Sequence, residues 1–317
     1  MDKSFVNFNI NVNNPELSFG WPLDEQSKSI YNNGFKPLID AIIKDSPKLD
    51  TTLDNNFNTL FEDNMYRNVI IPSANGPAII ARKMPDRVWS VDECGFPQCD
   101  KDFLLSDRLS KGGLIIICGN PNNGKSTSCA AIIKERLEIH GGYCNTVEDP
   151  PEMPLQGFHG KGYCLQRPVN NQEGFTGALR DTLRAFPTGK NAMLLVGEVR
   201  DKTTASEALR AALNGCLVFV SFHAKDVLDG LSRILSLASD DLGQRESRAL
   251  LGSSFKGIYH QQIIGNELLI ESLYTNNAVR AALYNENKSI TLIKDEFERQ
   301  KKLKSLGQAK EIWKNTK

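Results

Sequence analysis

The chain of 317 residues carries 38 basic and 38 acidic residues, so its formal net charge is zero and no overall field draws it onto nucleic acid or anionic lipid. No stretch approaches the ~20 apolar residues of a membrane span, and the opening, MDKSFVNFNINVNN, lacks the apolar core of a secretory signal. The seven cysteines form no C-x-x-C pair, which favours reduced thiols over disulfides or a zinc site. We therefore expect a cytoplasmic protein of two compact domains.

The first hundred residues predict a mixed α+β domain, residues 1–100. Val6, Phe8, Ile10 and Val12 alternate with polar residues, as in a half-buried strand. A helix is expected around FKPLIDAIIKD, and NMYRNVIIPSANGPAIIARKMP predicts two strands joined by a turn through 73–77. The following PDRVWSVDECGFPQCDKDFLLS has too many breakers for a regular core, which favours an interdomain connection with a linker over 101–112.

The stretch GNPNNGKST predicts a phosphate-binding loop. Its spacing is Gly119, four residues, Gly124, Lys125 and Ser126. Glycines let successive N–H groups converge on phosphate oxygens, the lysine meets the β- and γ-phosphates, and the hydroxyl reaches Mg²⁺. A buried strand, LIIIC, leads into the loop, and an amphipathic helix, KSTSCAAIIKERLEIH, leaves it. This context favours the loop over an exposed glycine-rich turn.

Strands and helices alternate after the loop, which predicts a parallel α/β domain over residues 113–270. YCNTVE, AMLLVGE and CLVFVSF are strand candidates, and TTASEALRAALNG is a helix that ends on glycine. A nucleotide is expected at the carboxyl ends of the strands. From DVLDGLSRILSLAS through SRALLGSSFKGIYHQQII the pattern is interpreted as helical, and residues 271–317 are expected to form a C-terminal helical segment with a solvated charged face.

Acidic residues follow two of the predicted strands. TVEDPPE places Glu148, Asp149 and Glu152 after one strand, and LLVGEVRD places Glu198 after another. A nucleoside triphosphatase needs carboxylates to hold Mg²⁺ through water and to accept a proton from the attacking water. Either cluster alone is equally well explained as a surface acidic loop. His223, at the end of VFVSFHA, by itself favours a structural histidine.

These motifs together resemble the secretion ATPases of type II and type IV systems. GNPNNGKST, TVEDPPE, ALRDTLRAFP, MLLVGEVRD and LVFVSFHA stand in the order of their Walker A, Asp box, arginine-rich segment, Walker B and His box. AVRAAL is similar to the signature of the PilT and DotB branch, and no tetracysteine zinc insertion is present. The resemblance implies a RecA-like P-loop ATPase core, an N-terminal PAS-like domain and a helical C-terminal region.

The resemblance also implies roles for individual residues. Lys125 and Ser126 would grip phosphates and Mg²⁺, Glu152 resembles the general base, and Glu198 resembles the Walker B acid, which holds the metal directly or through water. His223 would sense the γ-phosphate. The nucleotide-binding loop would comprise Gly119, Asn120, Pro121, Asn122, Asn123, Gly124, Lys125, Ser126 and Thr127.

Two arginines of the N-terminal domain, Arg67 and Arg82, resemble those that reach nucleotide at a subunit boundary, so hydrolysis would depend on assembly. The loop departs from the family's usual GPTGSGKST at Asn120, Asn122 and Asn123. Asparagine tolerates left-handed backbone angles, so the loop is still expected to form.

The resemblance implies an ATP- and Mg²⁺-dependent hexameric motor. It would lie at the cytoplasmic base of a type IV secretion, conjugation or pilus machine, beside inner-membrane platform or coupling proteins, without direct nucleic-acid binding and without zinc. The alternatives are a nucleic-acid translocase on a RecA-like core, disfavoured because a DNA motor needs a basic channel, and a scaffold that binds ATP without hydrolysis. The sequence leaves open whether the machine retracts a pilus, conjugates or secretes.

Overall fold

The computed structural model describes residues 7–21, 28–47, 55–169, 173–186, 191–265, 267–285 and 291–313. The chain divides into two compact units, Met1–Arg87 and Val88–Lys317. This division lies earlier than the boundary near residue 100 expected from the sequence. In the described part of the chain, no helix is both long and apolar enough to span a membrane.

The described residues of the first unit form an antiparallel five-stranded sheet and one α-helix. Phe8, Ile10, Ile39, Ile42 and Ile79 are buried together where the helix meets the sheet. A 3-10 turn (Pro15–Leu17) and a π-helical turn (Tyr31–Phe35) join the elements. The elements are β1 (Asn7–Asn11), β2 (Phe19–Trp21), α1 (Lys36–Asp45), β3 (Asn56–Phe61), β4 (Asn64–Ser73) and β5 (Gly76–Lys83), and the strands lie in the order β2-β1-β5-β4-β3.

The sequence patterns of this unit are confirmed in most respects. Phe8 and Ile10 face the core from β1, α1 occupies the expected stretch, and β4 and β5 form the expected hairpin. Val6 lies outside the described residues, and Val12 follows the end of β1. The structure adds β3, which pairs with β4 and lies at the edge of the sheet.

The second unit is an α/β layered structure around an eight-stranded sheet. A 3-10 turn (Asp107–Lys111) precedes the first strand. Its elements are α2 (Gln98–Leu104), β6 (Gly113–Cys118), α3 (Lys125–His140), β7 (Gly142–Glu148), β8 (Gly157–His159), β9 (Gly162–Pro168), α4 (Gly174–Arg184), β10 (Ala192–Val196), α5 (Lys202–Leu213), β11 (Leu217–Phe222), α6 (Val227–Leu242), α7 (Gln244–Ser254), β12 (Phe255–Ile264), β13 (Glu267–Tyr274), α8 (Asn277–Tyr284), α9 (Thr291–Ser305) and α10 (Lys310–Trp313).

Six strands of this sheet run parallel, and the two edge strands run antiparallel to their neighbours. The spatial order is β13-β12-β6-β11-β10-β7-β9-β8. All residues of β6 and β11 are buried, as expected for central strands covered on both faces. The predicted strands β6, β7, β10 and β11 and the predicted helices α5 and α6 are confirmed. The carboxyl ends of β6, β11, β10 and β7 meet at one edge.

The stretch that ends at Ile264 was expected to be helical, and this expectation is wrong from Phe255 onward. Helix α7 ends at Ser254, and β12 pairs in parallel with β6, with Phe255 opposite Leu114. Backbone groups along the second edge of β6 are buried and need hydrogen-bond partners, which a helix does not supply. The branched and aromatic residues of this segment also suit a strand. Strand β13 likewise extends to Tyr274, inside the stretch expected to be helical.

The segment expected to be an irregular connection is instead packed into the second unit. Val91 and Phe96 are buried, and α2 buries Phe103 and Leu104 in the same core. Turns rich in proline and glycine allow these apolar side chains to reach the core. The many helix- and strand-breaking residues therefore do not indicate a linker here.

Helix α3 is buried more completely than its amphipathic interpretation predicts. Residues 128–133 are all buried. Ser128, Cys129 and the two alanines that follow are small, and Ile132 and Ile133 add apolar side chains to the same core. Arg136 is also buried, and its Nη1 donates to the carbonyls of Leu104 (2.6 Å) and Ser106 (3.0 Å). These bonds offset the burial of its charge.

Candidate active site

The phosphate-binding loop lies between the end of β6 and the first turn of α3. Gly119 (φ +148°), Asn122 (φ +61°) and Gly124 (φ +72°) all have positive φ angles. A Cβ at Gly119 would lie 2.3 Å from the carbonyl oxygen of Gln261, so glycine is required there by space as well as by conformation. Asn122 occupies the left-handed region that asparagine tolerates. The loop therefore forms despite its asparagines.

Strand β12 extends past the end of β6 and holds the side of this loop. The Nε2 of Gln261 donates to the carbonyl of Asn123, and the backbone N–H of Ile263 donates to Oδ1 of Asn123 at 3.1 Å. The third loop asparagine thus attaches the loop to the sheet through its side chain. Gln261 lies within the stretch interpreted as helix, so the sequence motifs did not indicate it.

The Lys125 ammonium lies inside the loop. Its Nζ donates to the carbonyls of Gly119 (3.0 Å) and Asn120 (2.9 Å) and lies 3.3 Å from Nδ1 of His223. Burial lowers the pKa of Lys125, and the negative charge of Glu198 opposes this shift. A cation held among loop carbonyls, close to the N-terminus of α3, is placed to meet an anion.

The first turn of α3 also contacts the loop that carries Glu152. Ser126 donates its hydroxyl proton to Oε2 of Glu152 at 2.5 Å. The hydroxyl of Thr127 contacts Sδ of Met153 at 3.8 Å. The structure therefore brings the predicted magnesium ligand and the predicted general base together. Pro121 and Asn120, also in the predicted loop, are exposed.

Glu198 follows the end of β10 and lies between Arg200 and His223. Its Oε2 accepts from Nε of Arg200 at 2.7 Å, and its Oε1 lies 3.6 Å from Nε2 of His223. The hydrogen bond to Glu198 raises the pKa of Arg200. His223 also contacts the carbonyl of Gly119 through Nδ1 at 3.2 Å, so it connects Glu198 to the phosphate loop.

Two further residues of this edge of the sheet were not among the predicted site residues. Glu148, the last residue of β7, is buried, and burial raises the pKa of its carboxyl group. Gln166, on β9, donates from Nε2 to Oε1 of Glu148 at 3.1 Å. The acidic cluster TVEDPPE indicated Glu148, but no sequence motif indicated Gln166.

Arg67 and Arg82 lie in the first unit, away in sequence from all these residues. They are directly opposite each other on β4 and β5, and Arg82 is exposed. They share the sheet face that does not pack on α1. Their predicted role at the nucleotide stays a prediction.

The side chains present fit a magnesium ion. Ser126, Glu152 and Glu198 offer the hard oxygen atoms that Mg²⁺ prefers, and Mg²⁺ in nucleotide sites is commonly held by one or two protein oxygens together with phosphates and water. A dedicated protein cage is not needed, and the described residues contain no group of three or more His, Cys, Asp or Glu side chains suited to a metal. The expectation that zinc is absent stays a prediction.

This fold and loop define the chain as a RecA-like protein with a phosphate-binding loop at the carboxyl ends of its parallel strands. It belongs to the type II/IV secretion system protein family, whose model matches residues 54–304. The chain is 32% identical over 224 residues to the twitching motility protein of Neisseria gonorrhoeae, and the match covers 68% of this chain and 56% of that protein. It is 30% identical over 192 residues to the type IV pilus retraction ATPase PilT of Pseudomonas aeruginosa, and this match covers 60% of this chain and 52% of that protein. It therefore spans about half the length of these relatives.

Solved structures with the same fold support the assignment of fold class. The crystal structure of the pilus retraction motor PilT with bound ADP has a TM-score of 0.73 at 22% identity, covering 95% of this chain and 86% of that one. The structure of the ATPase DotB of Legionella pneumophila has a TM-score of 0.70 at 20% identity, covering 94% and 83%. The expected RecA-like core is thus confirmed.

Proposed function

We propose that this protein is an ATPase that hydrolyses ATP to ADP and phosphate and drives a type IV secretion, conjugation or pilus machine. One observation carries the proposal. The partly buried Lys125 ammonium, the Ser126–Glu152 hydrogen bond and the Glu198–His223 contact converge on the N-terminus of α3 from four separate strand ends. Membership of the secretion family supports the choice of machine over other uses of the fold.

Each group has a role that its position supports. Lys125, already partly desolvated, neutralises the β- and γ-phosphates, and the loop N–H groups and the α3 dipole add to this attraction. Glu152 accepts the proton of the attacking water. His223, between Lys125 and Glu198, contacts the γ-phosphate. Gly119 and Gly124 keep side chains out of the space that the phosphates need.

The metal site would use Ser126 and, directly or through water, Glu198. Because Ser126 donates its proton to Glu152, the lone pairs of its oxygen stay available to a cation. A bound Mg²⁺ supplies positive charge that stabilises the charge developing on the phosphoryl oxygens. Arg200, which hydrogen-bonds to Glu198, fixes the orientation of that carboxylate.

The assembly and location are part of the same proposal. The working unit is a homo-hexamer, peripherally associated with the cytoplasmic face of the inner membrane through platform or coupling proteins of the apparatus. Arg67 and Arg82 complete the nucleotide site of another subunit at the subunit boundary. A neutral net charge supports a motor that acts on protein partners and not directly on nucleic acid.

The test compares Lys125→Ala with Lys134→Ala, a lysine further along the same helix whose Nζ lies 3.9 Å from Glu138. Lys125→Ala is expected to lose ATP hydrolysis and most nucleotide affinity, whereas Lys134→Ala keeps both. Phosphate release and binding of a fluorescent ATP analogue measure the two properties. Wild-type turnover in Lys125→Ala would overturn the proposal.

The two alternatives have their own readouts. A DNA translocase would bind DNA tightly at physiological salt and lose that binding steeply as salt rises, which a fluorescence-anisotropy titration detects. A scaffold would bind ATP and assemble without releasing phosphate. We expect neither result, and sizing of the protein with ATP present tests the hexamer separately.

A further inference from the structure

The loop that carries Glu152 has few backbone hydrogen bonds of its own. Residues 149–156 form no helix or strand, and Pro150, Pro151 and Pro154 have no N–H to donate. Within the segment, the backbone N–H of Leu155 donates to the Met153 carbonyl at 2.9 Å. A general base must be held in place to act, so side chains from elsewhere have to fix this loop.

The carboxamide of Gln166 supplies these contacts from the neighbouring strand β9. Its Oε1 accepts from the backbone N–H groups of Leu155 and Gln156, both at 2.8 Å. Its Nε2 donates to the carbonyl of Met153 at 2.9 Å and to Oε1 of Glu148 at 3.1 Å. A glutamine side chain offers two donor hydrogens and two acceptor lone pairs, and all four are used here.

Glu148 extends this arrangement to the other side of Glu152. Glu148 is itself buried, and its carboxylate accepts from Nε2 of Gln166 at 3.1 Å. Gln166 therefore contacts the chain on both sides of Glu152, at Glu148 before it and at Met153 after it. The Glu152 carboxylate then lies where Ser126 donates to it at 2.5 Å.

We propose that Gln166 is a positioning residue for hydrolysis, which holds residues 149–156 so that the Glu152 carboxylate stays against the first turn of α3. This inference rests on the proposed function, because it takes Glu152 as the base for the attacking water. Gln166 touches neither nucleotide nor metal in this role and acts only through Glu152.

The experiment replaces Gln166 by methionine, which keeps the length of the side chain and removes all four hydrogen bonds. The matched control is Gln156→Met. It removes the contact of the Gln156 side chain with the Gln166 backbone N–H (2.7 Å) and with the Tyr163 hydroxyl (2.9 Å), and it leaves the four bonds of the Gln166 carboxamide in place. Both variants are made in the full chain, and their urea midpoints report folding.

Two readouts separate positioning from a merely structural role. Gln166→Met is expected to lower kcat by about 10- to 100-fold, because the Glu152 carboxylate is displaced from its working position. The affinity for a non-hydrolysable ATP analogue is expected to stay unchanged. In a Glu152→Gln background, the same change is expected to have no further effect on kcat. Gln156→Met is expected to behave as wild type in both assays.

A third readout does not depend on hydrolysis. Amide hydrogen exchange at Leu155 and Gln156 is expected to accelerate in Gln166→Met and not in the control, because both N–H groups lose the Gln166 side-chain carbonyl as an acceptor. The effect should be larger at Gln156, since the Leu155 N–H keeps its bond to the Met153 carbonyl. Unchanged exchange, unchanged kcat, or equal losses of kcat in both backgrounds would overturn the inference. If the wild type released no phosphate while exchange at these amides still responded, the proposed function would fail and the loop-holding role of Gln166 would stand.

Discussion

Ser126 and Glu152 are 26 residues apart in sequence, yet the Ser126 hydroxyl donates to the Glu152 carboxylate at 2.5 Å. The contact joins the first turn of α3 to the loop after β7, which lie at the ends of strands that are not neighbours in the sheet. It places the proposed metal ligand beside the proposed base. The first prediction follows from this pair.

Glu152→Gln and Glu198→Gln are expected to leave ATP bound but to lower kcat by about 100-fold or more, because each keeps its shape and loses the carboxylate. Single-turnover phosphate release and equilibrium nucleotide binding separate the two effects. Glu138→Gln, an exposed carboxylate on α3, is the control and should match wild type. Loss of nucleotide binding in both site variants would show that these residues are structural.

Gly119→Ala is expected to lower the free energy of unfolding by about 2 kcal/mol and to weaken nucleotide binding. The added Cβ would meet the Gln261 carbonyl at 2.3 Å and displace the loop from β12. Gly215→Ala is the matched control, because Gly215 also has a positive φ (+92°) but has no neighbour within 4 Å of the added carbon. Urea unfolding and ATP-analogue titration measure the outcome, and equal behaviour of the two variants would contradict the clash.

Arg67→Ala and Arg82→Ala are each expected to lower kcat steeply, by up to about 10³-fold if they act as arginine fingers, without loss of stability. Like charges directly opposite on adjacent strands repel, so losing one should not destabilise the sheet. Lys83→Ala on the same strand is the control, since its exposed contact with Asp86 contributes little.

The same arginine variants test whether the site is shared between subunits. Mixing Arg82→Ala with Lys125→Ala subunits creates some interfaces that pair an intact arginine with an intact phosphate loop. Partial recovery of phosphate release on mixing would support a role in trans. Full activity in both arginine variants alone would leave Arg67 and Arg82 as ordinary surface residues.

Lys304→Met is expected to lower the free energy of unfolding by about 3 kcal/mol, because it leaves the buried Asp100 carboxylate without its cation. Ser272 connects the two groups: its hydroxyl donates to Asp100 at 2.5 Å and contacts Nζ of Lys304 at 2.6 Å. Burial already raises the pKa of Asp100, and Lys304 opposes that shift.

The pH dependence gives this prediction a sign. When the pKa of a carboxyl group is higher in the folded protein than in the unfolded chain, the folded protein loses stability as the pH rises above the unfolded pKa. The loss of unfolding free energy in Lys304→Met should therefore be largest at neutral pH and shrink as the pH falls toward 3.8, the ordinary pKa of an aspartate. The double variant with Asp100→Asn should recover most of the loss. Urea unfolding across this range checks both statements, and a pH-independent penalty would mean that Lys304 contributes through packing alone.

Much of the site was accessible from the sequence because it depends on local chemistry. The two loop glycines, Lys125 and Ser126 stand between a wholly apolar strand and a helix, and backbone conformation and helix geometry determine what such a segment forms. Glu152, Glu198 and His223 follow strands that the apolar runs indicated. Parallel strands bring their carboxyl ends to one edge, so the convergence of these residues could be expected.

The local pattern failed where a segment's neighbours decide its structure. Phe255–Ile264 was interpreted as helix, but the open edge of β6 required a strand partner there. Gln261 and Gln166 stand in no motif, because their importance comes from contacts with residues far away in the sequence. Gln261 contacts Asn123, which is 138 positions away, and Gln166 contacts Glu148, which is 18 positions away. Such contacts exist only after the sheet has formed.

The phosphate loop, the strands that lead to the acidic residues and the family could be inferred from local sequence, because glycine angles, apolar runs and motif spacing act over a few residues. The folded chain was needed to show that β12 flanks the loop, that Asn123 attaches the loop to β12, and that Gln166 contacts both Glu148 and Met153 beside Glu152. These features depend on hydrogen bonds between side chains and distant backbone groups, whose partners are set by the order of the strands and not by the residues beside them.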